Sequence, residues 1–158
     1  MILSKPLVLI RHADFDMQSG NILDHCKNDL SKILVPRLIP VVADKSICMI
    51  SSPSPRAEQT AEIIARGLGA DFSVHGRLEA HRTSDQDLAW IQRYVNNAPC
   101  DIVIAVGHEN YIETLIDEVL KELRIMLDRR SIKKGEAILL DPAADQVVSE
   151  LTVSHEMK

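Results

Sequence analysis

The stretch from Leu7 to Phe15, LVLIRHADF, decides how this chain is read. Four apolar residues in succession, Leu7-Val8-Leu9-Ile10, read as a strand buried on both faces. Strands of that kind belong to parallel sheets covered by helices on each side. This one runs straight into a fixed positive charge, Arg11, and a titratable ring, His12. In open α/β sheets, ligands bind beyond the carboxyl ends of the strands. A core strand that carries two such groups to that edge therefore points to a ligand.

Outward from residue 15 the same pattern repeats. Residues 6–11, 46–51, 71–74 and 101–106 predict four strands. Residues 30–42, 55–67, 85–97 and 110–123 predict helices between and after them. Pro36 and Pro40 interrupt the first helix, so a kink or break is expected there. Pro55 suits a first helical turn and Gly67 an exit. The last helix presents an apolar face of Tyr111, Leu115, Ile116, Val119 and Leu123. Residues 136–141 and 146–153, joined at Pro142-Ala143-Ala144-Asp145, predict a closing hairpin. The expected fold is α/β, a three-layer α/β/α sandwich whose mainly parallel central sheet carries an antiparallel edge hairpin. One domain spanning residues 1–158 is expected.

Bulk properties narrow the partners. The 158 residues carry 46% apolar and 26% charged side chains, an ordinary globular balance. A net charge of −5 argues against nucleic acid, whose phosphates are held by basic faces. No run of about 18 apolar residues suggests a membrane span. The first residues lack the plan of a signal peptide, so a cytoplasmic address is expected. Cys26, Cys48 and Cys100 are odd in number, far apart and without a Cys-x-x-Cys pair, which reads as structural thiols. Nothing in the sequence bears on oligomeric state.

Three predicted strands end in comparable residues. The first ends in Arg11-His12. The second leads through Ser51-Ser52-Pro53-Ser54-Pro55 to Arg56 at a helix start. The fourth ends in Gly107-His108, again at a helix start. Two arginines and two histidines thus converge on one sheet edge. Clustered cations repel one another unless an anion neutralises them. Arginine forks match phosphate geometry, and helix N-termini add backbone donors, so a phosphoryl group is the expected anion. A neutral imidazole can also accept a phosphoryl group covalently. Neighbouring cations are expected to lower the His12 pKa and keep its attacking nitrogen free.

The sequence resembles the histidine phosphatase superfamily, the phosphoglycerate-mutase-like proteins, and most of all the small phosphohistidine phosphatase branch. Its opening Arg-His-Gly motif reads Arg11-His12-Ala13 here. Its Ser-Ser-Pro-x-x-Arg-Ala-x-Gln-Thr-Ala motif reads SSPSPRAEQTA from Ser51 to Ala61. Its Gly-His motif reads Gly107-His108, and Leu78-Glu79 fits its glutamate context. The resemblance implies a metal- and cofactor-independent phosphatase with His12 as the phosphorylated nucleophile. Arg11, Arg56 and His108 would bind the phosphoryl oxygens. Glu79 would be the general acid and then the base that activates water; Asp14 is its rival for the acid role. Gln18, Ser54 and His81 are further candidate substrate contacts, with Asp14. His25, His75 and His155 have no supporting pattern. The substrate would be a phosphorylated protein, on phosphohistidine, or a small phosphorylated metabolite.

Ala13 replaces the family glycine, which raises the question of crowding or of a positive φ. Two other readings follow from the residues. One is a non-catalytic phosphate- or phosphoprotein-binding module on the same fold. The other is a metal-dependent hydrolase using His12-x-Asp14-x-Asp16 with His108-Glu109, which Arg11 and Arg56 would oppose by repelling a cation.

Overall fold

The computed structural model describes residues 2–80 and 84–151. A six-stranded sheet forms its centre. In chain order the strands are β1 (Leu7–Arg11), β2 (Ile47–Ser51), β3 (Phe72–Val74), β4 (Ile102–Gly107), β5 (Ala137–Leu140) and β6 (Val148–Glu150). In space the order is β3-β2-β4-β1-β5-β6. The first four strands run parallel; β5 pairs antiparallel with β1, and β6 antiparallel with β5. The predicted sheet, with its antiparallel edge hairpin, is what forms.

Alternation along the strands sorts the core into two layers. Leu7 and Leu9 of β1 face α4 (Asp85–Asn97) and α5 (Glu109–Glu122), meeting Ile91, Leu115 and Ile116. Val8 and Ile10 face the other layer, meeting Leu34, Leu38 and Ile64. That layer holds α1 (Asp24–Asp29), α2 (Val35–Val42) and α3 (Pro55–Leu68). Both faces of the sheet are covered, which is why β1 and β4 carry unbroken apolar runs.

Four local expectations are corrected. The first helical region begins at Asp24 rather than residue 30, and it is not broken. A π-helical segment, Leu30–Leu34, joins α1 to α2, with the Val35 N–H bonded to the Leu30 carbonyl. The wider turn sits just before Pro36, which has no N–H to give to a normal helical bond. Gly67 is not the exit of α3: it lies against Val35, and a Cβ there would meet the Val35 methyls at 2.7 Å. The chain leaves α3 at Gly69, in the left-handed conformation with φ 66°. Leu123 is 41% exposed, and Ile112 and Leu120 take its expected place on the buried face of α5. The closing strand ends at Glu150, short of the predicted residue 153, and residues 152–153 lie outside the described ones.

The register places the chemistry. Arg11 stands opposite Gly107 and Ser51 opposite Val106, so the ends of β1, β2 and β4 are level. The chain after each strand continues into the next position of the ladder: His12 N–H bonds the Gly107 carbonyl and Ser52 N–H the Val106 carbonyl.

Candidate active site

Beyond these level ends lie His12 and His108, each only 5% exposed, with ring centroids 5.2 Å apart. The His12 Nδ1 is 2.9 Å from the Ala13 carbonyl oxygen. A carbonyl can only accept, so Nδ1 carries the proton and the Nε2 lone pair is free. The His108 Nε2 lies 2.8 Å from the Ser52 hydroxyl and 3.5 Å from that of Ser54. Ser54 is also the N-cap of α3, where its hydroxyl accepts from the Ala57 N–H.

Both imidazoles resist protonation. The His12 pKa is pushed down to about 4, first by burial, then by the Arg56, Arg11 and Lys134 charges, with the Ala13 bond opposing. That of His108 also falls to about 4, from burial, then His12, Arg56 and Arg11. The sequence expectation credited the arginines; burial is the larger cause.

The arginines carry the remaining charge. Arg56 lies over the Phe15 ring, 4.7 Å from its centroid, and the same ring meets the edge of His12 at 5.6 Å. Arg11 Nη1 donates to the Ile132 carbonyl at 3.0 Å and is 3.0 Å from Glu109 Oε2. Arg11 therefore has a carboxylate neighbour, contrary to the sequence expectation of unpartnered cations. Even so, the Nε donors of Arg11 and Arg56 are both buried without a hydrogen-bond partner among the described residues. Buried donors are almost always satisfied, so two orphans at one edge call for an acceptor from outside the chain.

Of the other sequence candidates, Asp14 lies at the rim, 3.2 Å from Lys134 Nζ and accepting from the Phe15 N–H. Burial, the largest single influence, pushes its pKa up, but the Lys134 and Phe15 hydrogen bonds together with the nearby positive charge outweigh it and the net shift is downward. That makes Asp14 a poor proton donor. Asp16, offered by the metal reading, accepts from the Gln18 and Ser19 N–H groups and closes the exposed turn that carries Gln18. Gln18 is thus exposed on the surface. Glu79 is half-buried and directly follows a short 3-10 turn, Gly76–Leu78. A Cβ on Gly107 would lie 3.9 Å from the Leu78 carbonyl, which sets this turn beside the end of β4. His81 lies outside the described residues. Ala13 does not adopt a positive φ; its methyl is buried with Ala57 and Ala61, and its N–H donates to the Thr60 hydroxyl.

One region escaped sequence reading. Residues 129–136 dock on the end of β1. Arg130 makes two bonds of 2.7 and 2.8 Å to the buried Glu136 carboxylate, and Arg129 binds Glu113. Glu113 also accepts from the Ile132 N–H, fixing the carbonyl that holds Arg11. No local motif marks these contacts; only the excess of cations between residues 124 and 134 hints at them.

No family model matches the chain, and neither does any curated protein. Solved structures do. A protein histidine phosphatase SixA complexed with tungstate aligns with TM-score 0.70 at 15% identity, over 92% of this chain and 93% of that one. A SixA from Agrobacterium tumefaciens, described as a phosphohistidine phosphatase, aligns with TM-score 0.66 at 16% identity, over 92% and 95%. The mycobacterial glucosyl-3-phosphoglycerate phosphatase in complex with inorganic phosphate aligns with TM-score 0.62 at 16% identity, over 93% and 94%. The motifs around His12, Arg56 and His108 and the likeness of these structures thus agree, and the chain has the histidine phosphatase fold, the α/β sandwich of the phosphoglycerate-mutase-like proteins.

Proposed function

We propose that this protein is a phosphatase that passes a phosphoryl group through His12. The observation that carries the reading is the pair of buried, neutral imidazoles beside two orphaned arginine nitrogens. Such an arrangement suits a tetrahedral oxyanion, which would satisfy both Nε donors at once.

In this reading the His12 Nε2 lone pair attacks phosphorus, and the Nδ1–H bond to Ala13 holds the ring in the reactive tautomer. The P–N bond forms as the bond to the leaving group breaks. Arg11, Arg56 and His108 take the equatorial oxygens, whose charge must be stabilised throughout. A bound dianion favours the charged form of His108, turning a neutral ring into a donor as the substrate arrives. Glu79 is the group beside β4 that would protonate the leaving group and afterwards take a proton from the attacking water. Water then displaces His12 from phosphorus and releases inorganic phosphate. The proposed chemistry needs no metal: Asp14 is engaged by Lys134, and Asp16 by its own turn. Phosphohistidine on a protein and small phosphate esters are the substrate classes proposed, as for the SixA and sugar-phosphate enzymes of like fold.

The test is turnover of an aryl phosphate combined with a denaturing alkaline quench. A phosphoenzyme that is labile to acid and stable to base, formed by the wild type and absent from His12→Ala, is the expected result. Vanadate binding without turnover would replace the phosphatase with a phosphate-binding module.

A further inference from the structure

We propose that Lys134 is a specificity residue: a rim cation that receives a second anionic group on the phosphorylated substrate. The proposal rests on the phosphatase reading and extends it to substrate class.

Backbone bonds fix where Lys134 stands. The neighbouring Gly135 N–H donates to the carbonyls of both Arg11 and His12, each at 3.1 Å. Gly135 adopts φ 79°, a conformation glycine reaches without strain, and so turns the chain across the end of β1. The Lys134 ammonium lies 5.8 Å from the centroid of the Phe15 ring. That ring also carries Arg56 and touches His12. Phe15 is therefore a shared platform, with one cation toward the phosphoryl site and another toward its periphery. The Lys134 charge is felt at His12, where it disfavours protonation.

The partner of Lys134 differs from those of its neighbours. Arg130 and Arg129 face the Glu136 and Glu113 side chains, which are 2% and 22% exposed. Lys134 faces Asp14 with the two side chains 42% and 48% exposed. An ion pair in contact with water is weak. A carboxylate or second phosphate on an incoming substrate can displace Asp14 at little cost. Lys134 would then bind ground state and transition state alike, and the effect would appear in KM rather than kcat.

Two matched probes test this: phenyl phosphate and 3-carboxyphenyl phosphate. The ratio of kcat/KM for the second over the first should fall roughly tenfold in Lys134→Ala, the scale of one lost charge contact. The loss should lie in KM, Lys134→Arg should restore most of the ratio, and Asp14→Asn should raise it. An unchanged ratio in Lys134→Ala, or equal losses in the Ala and Arg variants, overturns the proposal while leaving the phosphatase intact. Failure of the wild type to hydrolyse either probe overturns the phosphatase reading instead.

Discussion

Two groups of arginines lie near the end of β1 and differ in one respect. Arg129 and Arg130 have internal carboxylates, Glu113 and Glu136. Arg11 and Arg56 each retain a buried Nε with no partner among the described residues, although Arg11 also has Glu109 3.0 Å from its Nη1. The first group is complete and holds a segment in place. The second keeps a spare donor on each side chain, which in the proposed function an incoming anion takes up. In that reading the same residue type serves stability in one place and recognition in the other. What separates them is whether folding satisfies the cation.

His12→Ala should break the second group's chemistry outright, lowering aryl phosphate turnover by at least about a thousandfold, since the proposed intermediate forms on that ring. Retained vanadate binding, seen by calorimetry, would show that the anion site outlives the His12 ring.

Glu136→Ala attacks the first group. Glu136 is 1% exposed and accepts from Arg130 and the Lys133 N–H. Arg130 is 37% exposed and keeps Glu150 at 3.5 Å, so the loss is that of a buried acceptor whose donors go unpaired, about 1–3 kcal/mol in urea unfolding.

Arg56→Ala sharpens the contrast. It should lower kcat/KM by roughly a hundredfold through lost charge-assisted bonds, with Arg56→Lys recovering only part, because a point charge cannot replace the fork. Its unfolding free energy should change by less than about 1 kcal/mol, since an unsatisfied donor leaves with it. Phosphate should raise the Tm of the wild type more than that of the variant.

The pH dependence should follow the two histidines. Both titrate near 4 when folded and, once unfolded, near the ordinary 6.5. The folded state therefore holds its full advantage above pH 6.5. That advantage is lost as pH falls from 6.5 toward 4, because the unfolded chain takes up protons first. The loss is about 3 kcal/mol for one such ring, and less than twice that for two interacting rings. Urea midpoints at pH 7 and pH 5 should show it, and added phosphate should reduce it.

The division between what sequence revealed and what it did not follows the range of the interactions. Continuous apolar runs announced β1 and β4, and their carboxyl-end residues announced that His12 and His108 would meet at one sheet edge, because both are local patterns. The partners of Arg11 were hidden. Ile132 lies 121 positions away, and Glu109 is offered by a helix start whose angle only packing determines. The π segment before Pro36 was hidden for a different reason: proline signals disruption, but the surrounding core, here Leu34 and Leu38, decides whether the helix breaks or bulges. Asp14 stood as the rival of Glu79 for the acid role, and the Lys134 ammonium beside its carboxylate, 120 residues away in the chain, was beyond sequence reading.

The bond from His12 to the Ala13 carbonyl has a wider consequence. Main chain, not an auxiliary side chain, sets the tautomer of the His12 ring, so the bond does not depend on the identity of a neighbouring side chain. The freedom at position 13 is instead one of size. A bulkier side chain there would press on Ala57 and Ala61 and tilt the helix that carries Arg56. A change at position 13 would therefore move Arg56 from beneath, while the His12 ring above keeps its orientation.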